Sequence, residues 1–139
     1  MKKELLVDKW SDNSLIMGWT AIPNALFFMQ RPLELSPINF NVLLNLFSHW
    51  WETGAWPYPS QKGLASRMGV SVRTVQRSLD ELVEKKLILR KPTMRNHPKY
   101  KGRNVYDLSP IIKLVSIMAP QLKQTIGKKE SYQGKNEYL

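Results

Sequence analysis

The chain has 139 residues, is 42% hydrophobic, contains no cysteine and carries a formal net charge of +10. That is apolar material for one domain with one core, and the missing cysteine excludes disulfides and thiolate metal sites. No apolar run nears the roughly 18 residues of a membrane span, and no signal-type stretch follows Met1-Lys2-Lys3-Glu4, so the expectation is a cytoplasmic protein with no membrane partner.

In chain order, residues 1–17 read as a polar lead-in. "GWTAIPNALF" (Gly18–Phe27) has the content of a short extended piece entering a helical turn, and "RPLELSP" is a connector. Ser36-Pro37 then marks a helix start, with serine as N-cap and proline in the first turn. Phe40, Leu43, Leu44, Phe47 and Trp51 follow at three- and four-residue steps, which predicts a buried stripe with His49 and Trp50 off it. In Trp56-Pro57-Tyr58-Pro59 the two prolines exclude a central strand but allow a short edge strand.

Ser60 is a second N-cap candidate, opening a short helix "QKGLASRM" with Leu64, Ala65 and Met68 inward. Gly69 stands where such a helix needs a left-handed residue. Ser71 is a third N-cap, and a helix over Val72–Lys85 places Val72, Val75, Leu79 and Leu82 on one face. Leu87–Lys91 and Asn104–Leu108 read as strands joined by a long basic loop, "PTMRNHPKYKGR". Ser109-Pro110 caps a further helix from Ile111 to about Ala119, apolar nearly all round, which Pro120 ends or kinks. Residues 111–126 are therefore a C-terminal helical unit and a candidate dimerisation element; packing of the same helix on the chain's own first long helix is the alternative. Residues 127–139 are expected to be a flexible basic tail. The fold class is mostly α with a small antiparallel sheet (α+β).

The positive charge is segregated. Residues 62–103 hold twelve Lys/Arg against three acids, Asp80, Glu81 and Glu84, whereas residues 1–61 hold four against five. A one-sided basic patch is the footprint of a polyanion binder, while a solubilising face usually mixes both signs. Two helices separated by Gly69-Val70-Ser71 form a helix-turn-helix, and the strand–loop–strand that follows supplies a wing. On the second helix Arg73 and Arg77 project away from the apolar face, flanked by Thr74 and Gln76. Ser71, Arg73, Thr74, Gln76 and Arg77 are thus the candidate base-contacting residues, since Arg pairs with guanine, Gln with adenine, and hydroxyls with either. Ser60, Gln61 and Lys62 at the start of the first helix, and Arg90, Lys91, Arg95, Lys99, Lys101 and Arg103 in the wing, are the candidate contacts to the DNA backbone. The acids fall late in the second helix, against the macrodipole's preference, which points away from a purely structural role.

Residues Pro59–Ile88 resemble the winged helix-turn-helix family of bacterial and phage DNA-binding proteins. With "WTAIPNALF", "LSPINFNVLLNLF" and the wing-closing "RNVYDLSP", the resemblance extends over residues 18–110 to the N-terminal domain of phage replication protein O and related plasmid replication proteins. It implies a domain whose second helix reads the groove. Initiators of this kind carry a further region, for which the roughly 30 residues after Leu108 are too few; the chain is then a fragment or acts by binding DNA alone. Three readings follow: a sequence-specific double-stranded DNA regulator of a mobile element, acting as a homodimer; a replication initiator's domain recognising origin repeats; and an RNA or nonspecific nucleic-acid binder. The sequence holds no paired carboxylates, phosphate loop, nucleophile–base pair or metal-ligand spacing, so no catalysis and no cofactor are expected.

Overall fold

The computed structural model describes residues 2–133. The described chain runs α1 (Lys3–Trp10), a 3-10 turn (Asn13–Leu15), α2 (Ala25–Phe28), α3 (Pro37–Ser48), α4 (Gln61–Met68), α5 (Val72–Glu84), β1 (Leu89–Lys91), β2 (Val105–Asp107) and α6 (Ser109–Gln133). β1 and β2 are antiparallel, with Arg90 opposite Tyr106. The Tyr106 N–H also donates to the Pro57 carbonyl at 2.9 Å. The proline-rich Trp56–Pro59 segment therefore lies along the outer edge of β2, where it contributes a carbonyl and its prolines' missing N–H groups cost nothing.

The helix starts follow the serines. Ser36, Ser60 and Ser71 sit in extended backbone and accept from the N–H groups of Asn39, Gly63 and Thr74, each satisfying one of the donors a helix start leaves open. Gly69 ends α4 at φ 70°, ψ 34°, a left-handed conformation that costs an L-residue roughly 1–2 kcal/mol. Three residues later α5 begins, so the two helices cross rather than stack.

One core serves all of this. α3 contributes Val42, Leu43, Leu46 and Phe47, α4 contributes Leu64, and α5 contributes Val75, Leu79 and Leu82; Ile88, Tyr106, Leu108 and Ile111 close it from the sheet and α6. Val75, Leu79 and Leu82 have no exposed surface, and burying each contributes about 1.5–3 kcal/mol. A polar clamp lies within this apolar contact. The Ser78 hydroxyl donates to Asn39 Oδ1 at 2.7 Å, and Asn39 Nδ2 donates to Glu81 Oε2 at 2.9 Å. Asn39 and Ser78 are each only 2% exposed, so this pairing fixes how α5 is rotated and translated on α3.

Several expectations are corrected. The polar lead-in over residues 1–17 holds two elements that were not expected, α1 and the 3-10 turn. Trp51 is 82% exposed, while Trp50 packs against the core: α3 ends at Ser48, so the helical step that assigned these two tryptophans no longer applies. Val72 is 38% exposed because it is the first residue of α5, ahead of the buried contact. At the start of α6 it is Asp107, not Ser109, whose side chain caps, accepting from the Ser109 N–H at 2.8 Å. α6 continues through Pro120 to Gln133, with Leu122 beyond the proline still packed on the core. Of the tail expected over 127–139, residues 127–133 continue this helix, and 134–139 lie outside the described residues. The packing of α6 is internal, against α2 and the core; among its described apolar residues Ile117 is the exposed one, at 53%.

Removing the clamp should be costly because it strands buried polar atoms. Asn39→Ala is expected to destabilise the domain by about 1–3 kcal/mol in urea unfolding. Asn39→Ala and Ser78→Ala should be strongly non-additive in a double-mutant cycle. Additive losses would mean that the two side chains do not act as a unit.

Candidate nucleic-acid interface

The geometry is set by α5. With Val75, Ser78, Leu79 and Leu82 turned inward, Arg73, Gln76 and Arg77 are left exposed. Arg73 and Arg77 stand one helical turn apart and project the same way. Ser71 is exposed at the entering end, but its hydroxyl is engaged, accepting from the Thr74 N–H at 3.1 Å and sharing a 3.0 Å hydrogen bond with the Thr74 hydroxyl. Thr74 is half-buried. Gln76 Nε2 donates to Gln61 Oε1 at 3.0 Å, which ties the α5 surface to the first turn of α4. One continuous polar ridge therefore carries Gln61, Gln76 and the two arginines.

The start of α4 meets the wing. Ser60 and Gln61 line a cleft of about 300 Å³ with Lys101, Gly102, Arg103 and Asn104. That cleft brings together two groups that are forty residues apart in sequence, a helix N-terminus and wing cations, both suited to a phosphate. Lys62, Arg95 and Lys99 are exposed alongside these residues in the sequence. Arg90 and Lys91 are placed differently from the rest of the basic set. Arg90 Nη1 donates to Asp80 at 2.8 Å, and Lys91 Nζ lies 3.3 Å from Asp107. Both brace the wing on the domain, Arg90 to α5 and Lys91 across to β2.

Tertiary pairs also account for two of the three late acids of α5, Asp80 and Glu81. Asp80 holds Arg90 and Glu81 receives Asn39; their placement against the helix dipole is a consequence of tertiary partners and not a mark of groove binding. Asp107 is itself a junction. Burial would raise its carboxyl, but the hydrogen bonds from Ser109 and the ammonium of Lys91 outweigh it and hold the pKa below the ordinary value.

The wing loop is ordered by its own contacts. The Thr93 hydroxyl donates to the Arg103 carbonyl at 2.6 Å, closing the loop's base. Tyr58 and Tyr100 pack edge to face at 4.9 Å, and His97 lies over Tyr100 at 4.6 Å. Neither tyrosine nor His97 was expected at the site; the alternation Trp-Pro-Tyr-Pro was the available signal for Tyr58. His49 stands elsewhere, where Arg67 of α4 donates to its Nε2 at 2.6 Å. Desolvation by burial and the neighbouring Arg67 charge both lower its pKa. Among the described residues, no three His, Asp or Glu cluster in a way that could hold a metal ion, and no helix is long and apolar enough to cross a membrane.

Residues 33–88 match the family model described as a helix-turn-helix domain. Within those residues α4, the Gly69–Ser71 turn and α5 form a helix-turn-helix. The match spans α3, α4 and α5 and stops as the wing begins. In fold the chain is similar to the N-terminal domain of the DnaD protein from Geobacillus kaustophilus HTA426, with a TM-score of 0.57 and 21% identity over 92% of this chain and 99% of that one. It is also similar to a possible transcriptional regulator from Methanosarcina mazei Go1, with a TM-score of 0.48 and 18% identity over 76% of this chain and 84% of that one. No curated protein sequence matches the chain. The winged arrangement around the helix-turn-helix, mostly helical with a two-stranded antiparallel sheet, is as the sequence led one to expect.

The His49–Arg67 contact predicts a pH dependence. A histidine whose folded pKa is lowered contributes stability that is full above the ordinary value near 6.5 and is lost as pH falls below it toward the folded value. Urea midpoints are therefore expected to fall between pH 7 and pH 5.5 (roughly the imidazole range), and His49→Gln should flatten that slope.

Proposed function

We propose that this protein binds double-stranded DNA sequence-specifically, with α5 in the major groove and the wing against the backbone. The observation that carries the reading is the exposed Arg73–Gln76–Arg77 surface at the entering end of a helix whose opposite face buries Val75, Ser78, Leu79 and Leu82. Arg73, Gln76 and Arg77 are the base-contacting residues, with Ser71 and Thr74 fixing the helix start and presenting hydroxyls beside them. Ser60, Gln61, Lys62, Arg95, Lys99, Lys101 and Arg103 contact phosphates; Arg90 and Lys91 add positive potential while bracing the wing.

The biological role we infer is regulation of transcription in a phage or plasmid, since a domain bound at a specific duplex site can alter transcription there. The resemblance of residues 18–110 to phage and plasmid replication proteins supports the mobile-element setting. It equally supports a second reading, an initiator's domain that binds repeats in an origin. Targets recovered as tandem repeats favour that second reading, and isolated promoter sites favour the first. A homodimer is the proposed assembly, reading half-sites about 34 Å apart. Ile117 and the exposed Leu5, Trp10, Ile16 and Met17 supply apolar surface for it. A clean monomer by sedimentation at low micromolar concentration, with no pairing on DNA, would remove the dimer from the account.

Selection of bound sequences from a random duplex pool should return a defined motif. Arg73→Ala or Arg77→Ala is expected to cost about 1–3 kcal/mol in affinity for it and to relax preference at one position. Lys101→Ala should weaken binding to all sequences alike and lower the salt slope by about 1. Affinity that ignores sequence and collapses with salt would instead support the nonspecific nucleic-acid reading.

A further inference from the structure

The wing's loop contains a single turn built like the start of a helix, with a histidine in the place of the usual cap. The backbone N–H groups of Lys99 and Tyr100 both donate to His97 Nδ1, each at 3.1 Å. Pro98 follows at the first position, and the Lys101 N–H donates to the His97 carbonyl at 3.0 Å. An N-cap side chain accepts from the second and third N–H groups of its helix, and proline suits the first position, where no N–H is needed. His97 therefore does for Pro98–Lys101 what Ser36, Ser60 and Ser71 do for α3, α4 and α5. Because both partners are donors, Nδ1 carries no proton, and the neutral ring holds its proton on Nε2. The turn is closed by left-handed residues, Lys101 at φ 52° and Gly102 at φ 84°. A Cβ on Gly102 would meet the Arg95 backbone at 3.2 Å, so the loop folds back tightly on itself there.

What this turn carries is the charge nearest the aromatic pair. Lys99 Nζ lies 5.7 Å from the centre of the Tyr58 ring and 5.4 Å from that of Tyr100, within the range of a cation–π contact. Tyr58 belongs to the segment hydrogen-bonded to β2, so it is held by the domain and not by the loop. The capped turn thus docks on the body through Tyr100 and Tyr58, and Lys99 is presented from that docked position.

We propose that His97 is the positioning residue of the wing: by capping the turn Pro98–Lys101 through Nδ1 it holds Lys99 and Lys101 in place for the DNA backbone. The DNA half of this statement rests on the function proposed above; the capping half does not. The alternative role for His97 is stacking on Tyr100 alone, and three substitutions separate the two. His97→Asn keeps a cap acceptor and loses the ring. His97→Phe keeps a ring and loses the acceptor. His97→Ala loses both.

The test uses the full chain with and without a duplex of random sequence. Without DNA, the Lys99 and Tyr100 amides should exchange about fivefold faster in His97→Ala and His97→Phe than in the wild type, the effect of a lost cap, and His97→Asn should restore their protection. Imidazole ¹⁵N shifts should report the proton on Nε2. With DNA, His97→Ala and His97→Phe should lower the salt slope by about 1, as Lys99→Ala does, while His97→Asn stays within twofold of the wild-type affinity. Protected amides in His97→Phe with rapid exchange in His97→Asn would overturn capping in favour of stacking. Altered amides with an unchanged salt slope would overturn the positioning role and leave the DNA reading intact. Wild-type protein that binds no duplex at all would overturn that reading and the DNA half together, with the exchange data still deciding the cap.

Discussion

The contact on which the other features depend is the pairing of Asn39, Ser78 and Glu81 between α3 and α5. Apolar packing alone would hold α5 on the core, because Val75, Leu79 and Leu82 are fully buried, but such contacts are weakly directional. Two hydrogen bonds at 2.7 and 2.9 Å, both made by an Asn39 that like Ser78 is only 2% exposed, are directional, and breaking either leaves a buried Asn39 atom without its partner. They set the rotation of α5, and that rotation decides which residues face out. Arg73, Gln76 and Arg77 share a surface because Ser78 and Glu81 are claimed from the other side.

The remaining elements extend that constraint outward. Gly69 and the Ser71 cap bring α4 to α5 with three residues between the helices, and Gln61 reaches Gln76 across the angle. Asp80 to Arg90 carries the position of α5 into β1, and Lys91 to Asp107 carries it into β2 and the start of α6. The ion pairs are partly exposed, and each contributes little to stability; their effect is on orientation. The basic charge of residues 62–103 is in this way divided between cations that brace the wing and cations that project from it.

Much of this was legible in the sequence because the signals were local. Serine before a helical stripe, glycine after one, and an alternating strand on each side of a basic loop each specify backbone geometry within four residues, and the three caps, the Gly69 turn and both strands follow. The errors came where a non-local fact intervened. The step that put Trp51 inside and Trp50 outside assumed a helix that ends at Ser48 instead. α1 is short and polar with one buried residue, Leu6, so no periodic stripe announces it. Pro120 read as a helix end or kink, and that the helix runs on past it was not legible because the packing of Leu122 beyond it is a tertiary contact. The acids of α5 looked like a groove-binding pattern because Asn39 and Arg90, their partners, are 42 and 10 residues away from them in the chain. The exposure of Arg73, Gln76 and Arg77 on one side of α5 was readable from helical spacing, whereas the capping by His97 was not, since histidine is an uncommon cap and its two bonds are to the backbone.

The most direct test of this account is to map backbone amide shifts while a duplex carrying the selected motif is titrated in. The account predicts the largest changes at Ser71–Arg77, with a second set at Ser60–Lys62 and Arg95–Arg103. Changes concentrated in α1 or α6, with the start of α5 silent, would contradict it.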